Sequence, residues 1–136
     1  MNKKQYNVID NDKIISSSNE LERGQLPLWF LGNFDGMGQS AYNESLEFSV
    51  DGYISFNALQ SSFEAIIRKH EVLKVFFLKN ENGIPIQHVN ENTRIDINFI
   101  RKPNTNNINK IISHVIDNPF DLGKSPLMRV SLIRIS

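Results

Sequence analysis

Residues 127–135, "LMRVSLIRI", restrict the fold of this chain more than any other stretch. In an extended strand Met128, Val130 and Leu132 share one face, while Leu127, Ile133 and Ile135 share the other. A strand apolar on both faces belongs in the middle of a sheet that is covered on each side. Without a neighbour it becomes an exposed apolar edge, and such edges pair with other chains. Dimerisation, strand swapping or a compensating rearrangement is therefore expected wherever that neighbour is lacking.

The other periodicities supply the layers around such a sheet. Residues 45–51, "SLEFSVD", alternate, with Leu46, Phe48 and Val50 on one face and polar residues on the other, which predicts a strand with one wet face. "DGYIS" reads as a turn, and Ser55 or Asn57 can cap the helix that follows. Over 58–70, Leu59, Phe63, Ile66 and Ile67 recur at helical spacing, and Arg68, Lys69 and His70 fall where cations complement the helix dipole. "VFFLKNENGIPIQHV" predicts a hairpin of strands near 74–79 and 84–89 around an Asn-Gly turn. Residues 94–100 alternate again, and Ile108, Ile111, Ile112, Val115 and Ile116 make a second helical stripe ending before Pro119. Upstream, "GQLPLWFLGNFDG" predicts a short helix ending near 32–36, with Pro27 in its first turn. "SSSNE" at 16–20 reads as a loop or helix start. The order is helix, strand, helix, hairpin, strand, helix, strand: an α+β or mixed α/β two-layer domain with helices packed on a mixed β-sheet.

At 136 residues the chain holds one domain at most. Its 15 basic residues balance 15 acidic ones, which argues against a nucleic-acid surface or an anionic membrane surface. With no cysteine, disulfides and thiolate chemistry are excluded. No window is apolar enough to span a bilayer, and "MNKKQYNVIDNDK" has no apolar run behind its basic residues, so a cytoplasmic protein is expected.

The residue constellations define no complete active site. His70, His88 and His114 have no metal-ligand spacing, and structural or surface roles suit them. Ser16–Ser18 sit in no nucleophile elbow. Asp35-Gly36-Met37-Gly38 is not a phosphate-binding loop, and Asp10 with Asp12 lack the rest of a calcium loop. No metal site or directly bound cofactor is expected.

Four segments, in order, resemble the amino-terminal part of a condensation domain of nonribosomal peptide synthetases, in the chloramphenicol acetyltransferase-like superfamily. "ERGQLPLWFL" (22–31) is similar to the opening motif Ser-x-Ala-Gln-x-Arg-Met-Trp-x-Leu through Gln25, Trp29 and Leu31, with Leu28 a conservative substitution; Glu22, Gly24 and Pro27 depart from it. "AYNESLEFSVDG" (41–52) follows, with Tyr42 and Asn43 ahead of the wet-faced strand. "KHEVLKVFF" (69–77) resembles Arg-His-Glu-x-Leu-Arg-Thr-x-Phe at His70, Glu71, Leu73 and Phe77; Lys69 and Lys74 keep the charge but lose the guanidinium fork. "PFDLGKSPLMRVSLIRI" (119–135) matches Pro-Phe-Asp-Leu…Pro-Leu-x-Arg…Leu at Pro119, Phe120, Asp121, Leu122, Pro126, Leu127, Arg129 and Leu132.

The resemblance implies the amino-terminal lobe of a chloramphenicol acetyltransferase-like fold over 20–136, with 1–19 as a leader or docking segment. It implies amide formation between aminoacyl and peptidyl thioesters carried on phosphopantetheine arms, and hence carrier proteins and the remainder of a synthetase as partners. In the family, proton handling is assigned to His-His-x-x-x-Asp-Gly on the next strand; that motif does not occur in this sequence. An amino-terminal piece inactive on its own is the expectation. The alternative is a non-catalytic docking module for a carrier protein or synthetase partner. The resemblance places Gln25 and Trp29 near the substrate tunnel, where they would shape a channel. His70 and Glu71 read as helix-end and fold-shaping residues. Asp121 reads as a turn residue accepting backbone N–H groups, and Arg129 as the partner of an acid. No catalytic residue is assigned in this chain.

Overall fold

A computed structural model of the chain describes residues 15–33, 40–101 and 107–135. The proposed loops at 10–12 and 35–38 lie outside the described residues. The elements are β1 (Ile15–Glu20), α1 (Gln25–Asn33), α2 (Phe56–Lys69), β2 (Val75–Lys79), β3 (Pro85–Asn90), β4 (Asn98–Arg101), α3 (Ile108–Asp117) and β5 (Ser131–Arg134). A single 3₁₀ turn, Glu71–Lys74, joins α2 to β2. Helices and strands are mixed as the sequence predicts, but the described strands form two small sheets. One is antiparallel in the order β1-β3-β2; the other pairs β4 with β5 in parallel.

The hairpin is set by its turn. Asn80 Oδ1 accepts the N–H groups of Asn82 (3.0 Å) and Ile84 (2.9 Å), and Gly83 sits at φ +76°, a region that costs a side chain energy. The register pairs Val75 with Val89, Phe77 with Gln87 and Lys79 with Pro85. Alternation then sends Phe76 inward, fully buried, with its ring stacked on His88 at 5.3 Å between centroids. Ile67 of α2, Val75, Ile86, Val89, Ile95 and Ile97 complete the core around it.

Residues 16–20, expected as a loop or helix start, instead form β1 against β3, from Ile15↔Asn90 to Glu20↔Ile86. "ISSSNE" has no apolar alternation to announce a strand. What stabilises it is the backbone ladder offered by β3, so tertiary context overrides propensity.

Ser55 caps α2 by accepting the Ala58 N–H (3.3 Å), and Arg68 and Lys69 occupy its last turn. The side chain of Gln60 reaches the segment before β4: its Nε2 donates to Ile95 O and its Oε1 accepts the Ile97 N–H at 3.2 Å. One amide thus takes the place of a neighbouring strand, which is why the alternating stretch from 94 enters a ladder only at Asn98.

Two strand expectations change. Residues 44–51 are extended but belong to no ladder, and Leu46, Phe48 and Val50 are 87%, 79% and 62% exposed. The strand ending the chain is short, half-buried, and paired only with β4 among the described residues, so here it is an edge and not a central strand. The apolar pattern is present in both segments. What each lacks, among the described residues, is a partner that would use it.

Candidate functional site

α1, the end of β2 and the turn after α3 enclose an open cleft of about 740 Å³, lined by Trp29, Gly32, Asn33, Phe77, Leu78, Lys79 and residues 119–123. Each wall follows from local chemistry. The "PFDL" turn is closed by Asp121, whose Oδ1 accepts the Gly123 N–H (2.9 Å) and whose Oδ2 meets Lys124 Nζ at 2.9 Å. That hydrogen bond raises the Lys124 ammonium above its ordinary pKa. Leu122 O accepts the Phe77 N–H (2.8 Å), fastening the turn to β2. On the other side Leu122 rests on α1 at Gly32, where an added Cβ would stand 2.8 Å from Leu122 Cδ1. The missing side chain at Gly32 thus lets helix and turn close on each other.

Trp29 is the floor of this cleft, only 6% exposed. Phe30 meets it edge-on at 5.2 Å, and the Lys79 ammonium lies 5.4 Å from its ring centroid, within cation–π range. Gln25 stands one turn earlier on α1. It accepts the Glu22 N–H (2.9 Å) and donates to Gln87 Oε1 on β3 (3.1 Å), so its amide ties α1 to the hairpin and does not line the cleft.

The other sequence-flagged residues sit elsewhere. His70 is exposed and ends α2, its N–H bonded to Ile66 O at 3.0 Å. Glu71 is exposed and accepts the Ser17 hydroxyl of β1 (3.2 Å). His114 is exposed on α3, and His88 is buried against Phe76. Arg129 corrects the sequence reading. Its guanidinium donates to the carbonyls of Val115 (3.0 Å) and Asn118 and lies 3.9 Å from the Phe120 ring centroid. The partner is the carbonyl end of α3, which leaves acceptors that a forked cation can satisfy.

Sequence reasoning missed Lys79 and Gln87. The hairpin register held the signal, because it pairs Phe77 with Gln87 and puts residues 77 and 79 on one face. It also missed the role of Asn43, whose Nδ2 donates to both Ile116 O (2.7 Å) and Asn118 O (3.0 Å). Nothing short of the tertiary structure announces a bond between residues so distant in sequence. Among the described residues, no group of His, Asp and Glu side chains could hold a metal ion, and no helix is long and apolar enough to cross a membrane. The ionisable groups lining the cleft are Lys79 and Asp121, and the latter is already committed to Gly123 and Lys124. The cleft can hold an apolar or aromatic-stacking group beside a cation.

Comparison with known proteins places this geometry. Chondramide synthase of Chondromyces crocatus is 30% identical over 122 residues, covering 85% of this chain and 3% of that protein. Gramicidin S synthase 2 of Brevibacillus brevis is 31% identical over 111 residues, covering 82% of this chain and 2% of that protein. The chain therefore spans a small fraction of the curated relatives it matches. Among solved structures, a four-domain nonribosomal peptide synthetase superposes with a TM-score of 0.75 at 20% identity, over 96% of this chain and 10% of that one. The first condensation domain of the CDA synthetase gives 0.70 at 14% identity, over 89% and 32%. The shared architecture is the chloramphenicol acetyltransferase-like fold of condensation domains. A family model described as the condensation domain matches residues 18–136, and the chain belongs to that family.

Proposed function

We propose that this chain is the amino-terminal lobe of a condensation domain that forms amide bonds between carrier-bound thioesters in nonribosomal peptide synthesis. The observation that carries this reading is the family match over 18–136, together with relatives that are peptide synthetases. In the reaction the acceptor's amine nitrogen attacks the donor's thioester carbonyl. The C–N bond forms, the C–S bond breaks, the thiol leaves on its phosphopantetheine arm, and the amine gives up a proton. A group must take that proton while both thioesters are held in place. The three histidines at 70, 88 and 114 are isolated in sequence, and none lines the cleft. The lobe therefore supplies shape rather than proton transfer, and is inactive alone.

Within that role Trp29 is a wall of the substrate channel, and Gln25 holds α1 in register with the hairpin through Gln87. The partners are aminoacyl and peptidyl carrier proteins and the rest of a synthetase, acting in the cytoplasm. The outer edge of β5 is a second contact site, open to another copy of the chain. The test mixes the chain with loaded donor and acceptor carrier proteins, with and without a polypeptide bearing the remainder of a condensation domain, and seeks dipeptidyl thioester by mass spectrometry. Product only in the reconstituted mixture is expected. Turnover by the chain alone refutes the division of labour; carrier binding without product in the reconstituted mixture favours a non-catalytic docking module instead.

A further inference from the structure

We propose that two copies of this chain associate by reciprocal strand exchange, residues 44–51 of each copy pairing antiparallel with β5 of the other. The inference rests on the reading that the β5 edge is open to a partner, and it names the segment that takes it.

Both edges are visible in one copy. Asn43 and Arg129 both donate to Asn118 O at the end of α3, so 44–51 and the run into β5 leave from one point. Further along, Phe56 meets Phe99 of β4 at 5.6 Å between ring centroids, and Phe99 is level with Leu132 of β5. The two segments therefore run in the same direction, and no ladder joins them among the described residues. Val130 turns its carbonyl toward β4, accepting the Asn98 N–H at 3.0 Å. By alternation the backbone groups of Ser131 and Ile133 point to the outer edge.

A second copy supplies the opposite direction, and the residues choose the register. Placing Leu46 opposite Leu132 also sets Phe48 opposite Val130, Val50 opposite Met128 and Glu44 opposite Arg134. These are the non-hydrogen-bonded pairs, whose side chains stand closest. A shift of two residues either way sets a charge against an apolar side chain, and a shift of one turns every apolar residue to the wrong face. Charge agrees: 44–51 carries Glu44, Glu47 and Asp51 with no cation, while 127–135 carries Arg129 and Arg134 with no acid. Exchange about a two-fold axis makes both ladders at once and closes the assembly.

The test is light scattering on the full chain after size exclusion, across a concentration series, with circular dichroism as the check on folding. Wild type is expected as a dimer, and Phe48→Glu as a monomer with an unchanged spectrum, since that side chain already faces solvent. Glu44→Arg and Arg134→Glu should each weaken the dimer about tenfold, two pairs being lost per dimer, and the double reversal should restore it. A monomer at every concentration overturns both this pairing and the open-edge reading. A dimer that withstands Phe48→Glu but is lost in Ser131→Pro, which removes an outward N–H, leaves the open edge standing and overturns the exchange. Failure of the double reversal to rescue overturns the register.

Discussion

Arg129 offers the sharpest test of how α3 is fastened to β5. Its guanidinium satisfies two carbonyls at the end of α3, those of Val115 and Asn118, while lying over Phe120. A hydrogen bond from a charged donor contributes about 1.5–3 kcal/mol when shielded, and here one of the two is exposed, so roughly 1–1.5 kcal/mol each is appropriate. The ring contact adds about 0.5–1 kcal/mol at such a site. Arg129→Ala is therefore expected to cost about 2.5–4 kcal/mol. Arg129→Lys keeps a cation near the ring and the helix end but cannot span both carbonyls, so it should lose about 1–2 kcal/mol. Urea unfolding at fixed protein concentration reads this directly. With a slope near 1.5 kcal/mol per molar, a 2.5 kcal/mol loss lowers the midpoint by roughly 1.7 M with the slope unchanged. The order Arg, then Lys, then Ala is the prediction. If Lys proves equal to Arg, a point charge suffices, the two-carbonyl clamp is wrong, and the acid partner expected from the sequence is restored.

Two further outcomes follow from the core and the cleft. Phe76→Ala removes a fully buried ring stacked on His88 and should cost about 3–5 kcal/mol, enough to abolish a cooperative thermal transition; a loss below 1 kcal/mol would show that the core is organised elsewhere. Trp29 is the only tryptophan and is almost wholly buried, so its emission should be blue-shifted and weakly quenched by acrylamide. Leu122→Ala removes the side chain that meets α1 at Gly32 and should raise the quenching several-fold with little change in far-UV circular dichroism, a contrast that fails if the turn does not shield the indole.

What the sequence makes legible is whatever depends on near neighbours. The stripe Leu59, Phe63, Ile66, Ile67 fixes α2, because helical spacing puts those side chains on one face, and Ile67 is indeed buried. Asn-Gly at 82–83 fixes the hairpin, because only a residue tolerant of positive φ closes that turn. β1 was not legible, since a polar strand is held by the ladder β3 presents and not by its own side chains. The same limit applies to the cleft. Trp29 could be picked out by resemblance, but Lys79 and Gln87 reach α1 only through a hairpin register that two separate strands must agree on.

Residues 44–51 and 131–134 show where such reading stops for a physical reason. Alternation states which side chains share a face; it cannot state whether another strand is there to bury that face. In residues 44–51 the pattern is perfect and the burial is absent: Phe48 alternates correctly and is 79% exposed. In β5 the apolar residues lie on both faces yet are only half-buried, with β4 on one side. A chain holding two such surfaces, one acidic and one basic at matching spacing, stores its unsatisfied pairing as association free energy. The sequence therefore specifies an appetite for a strand in two places, and the identity of what satisfies it is a property of concentration and company, not of local pattern.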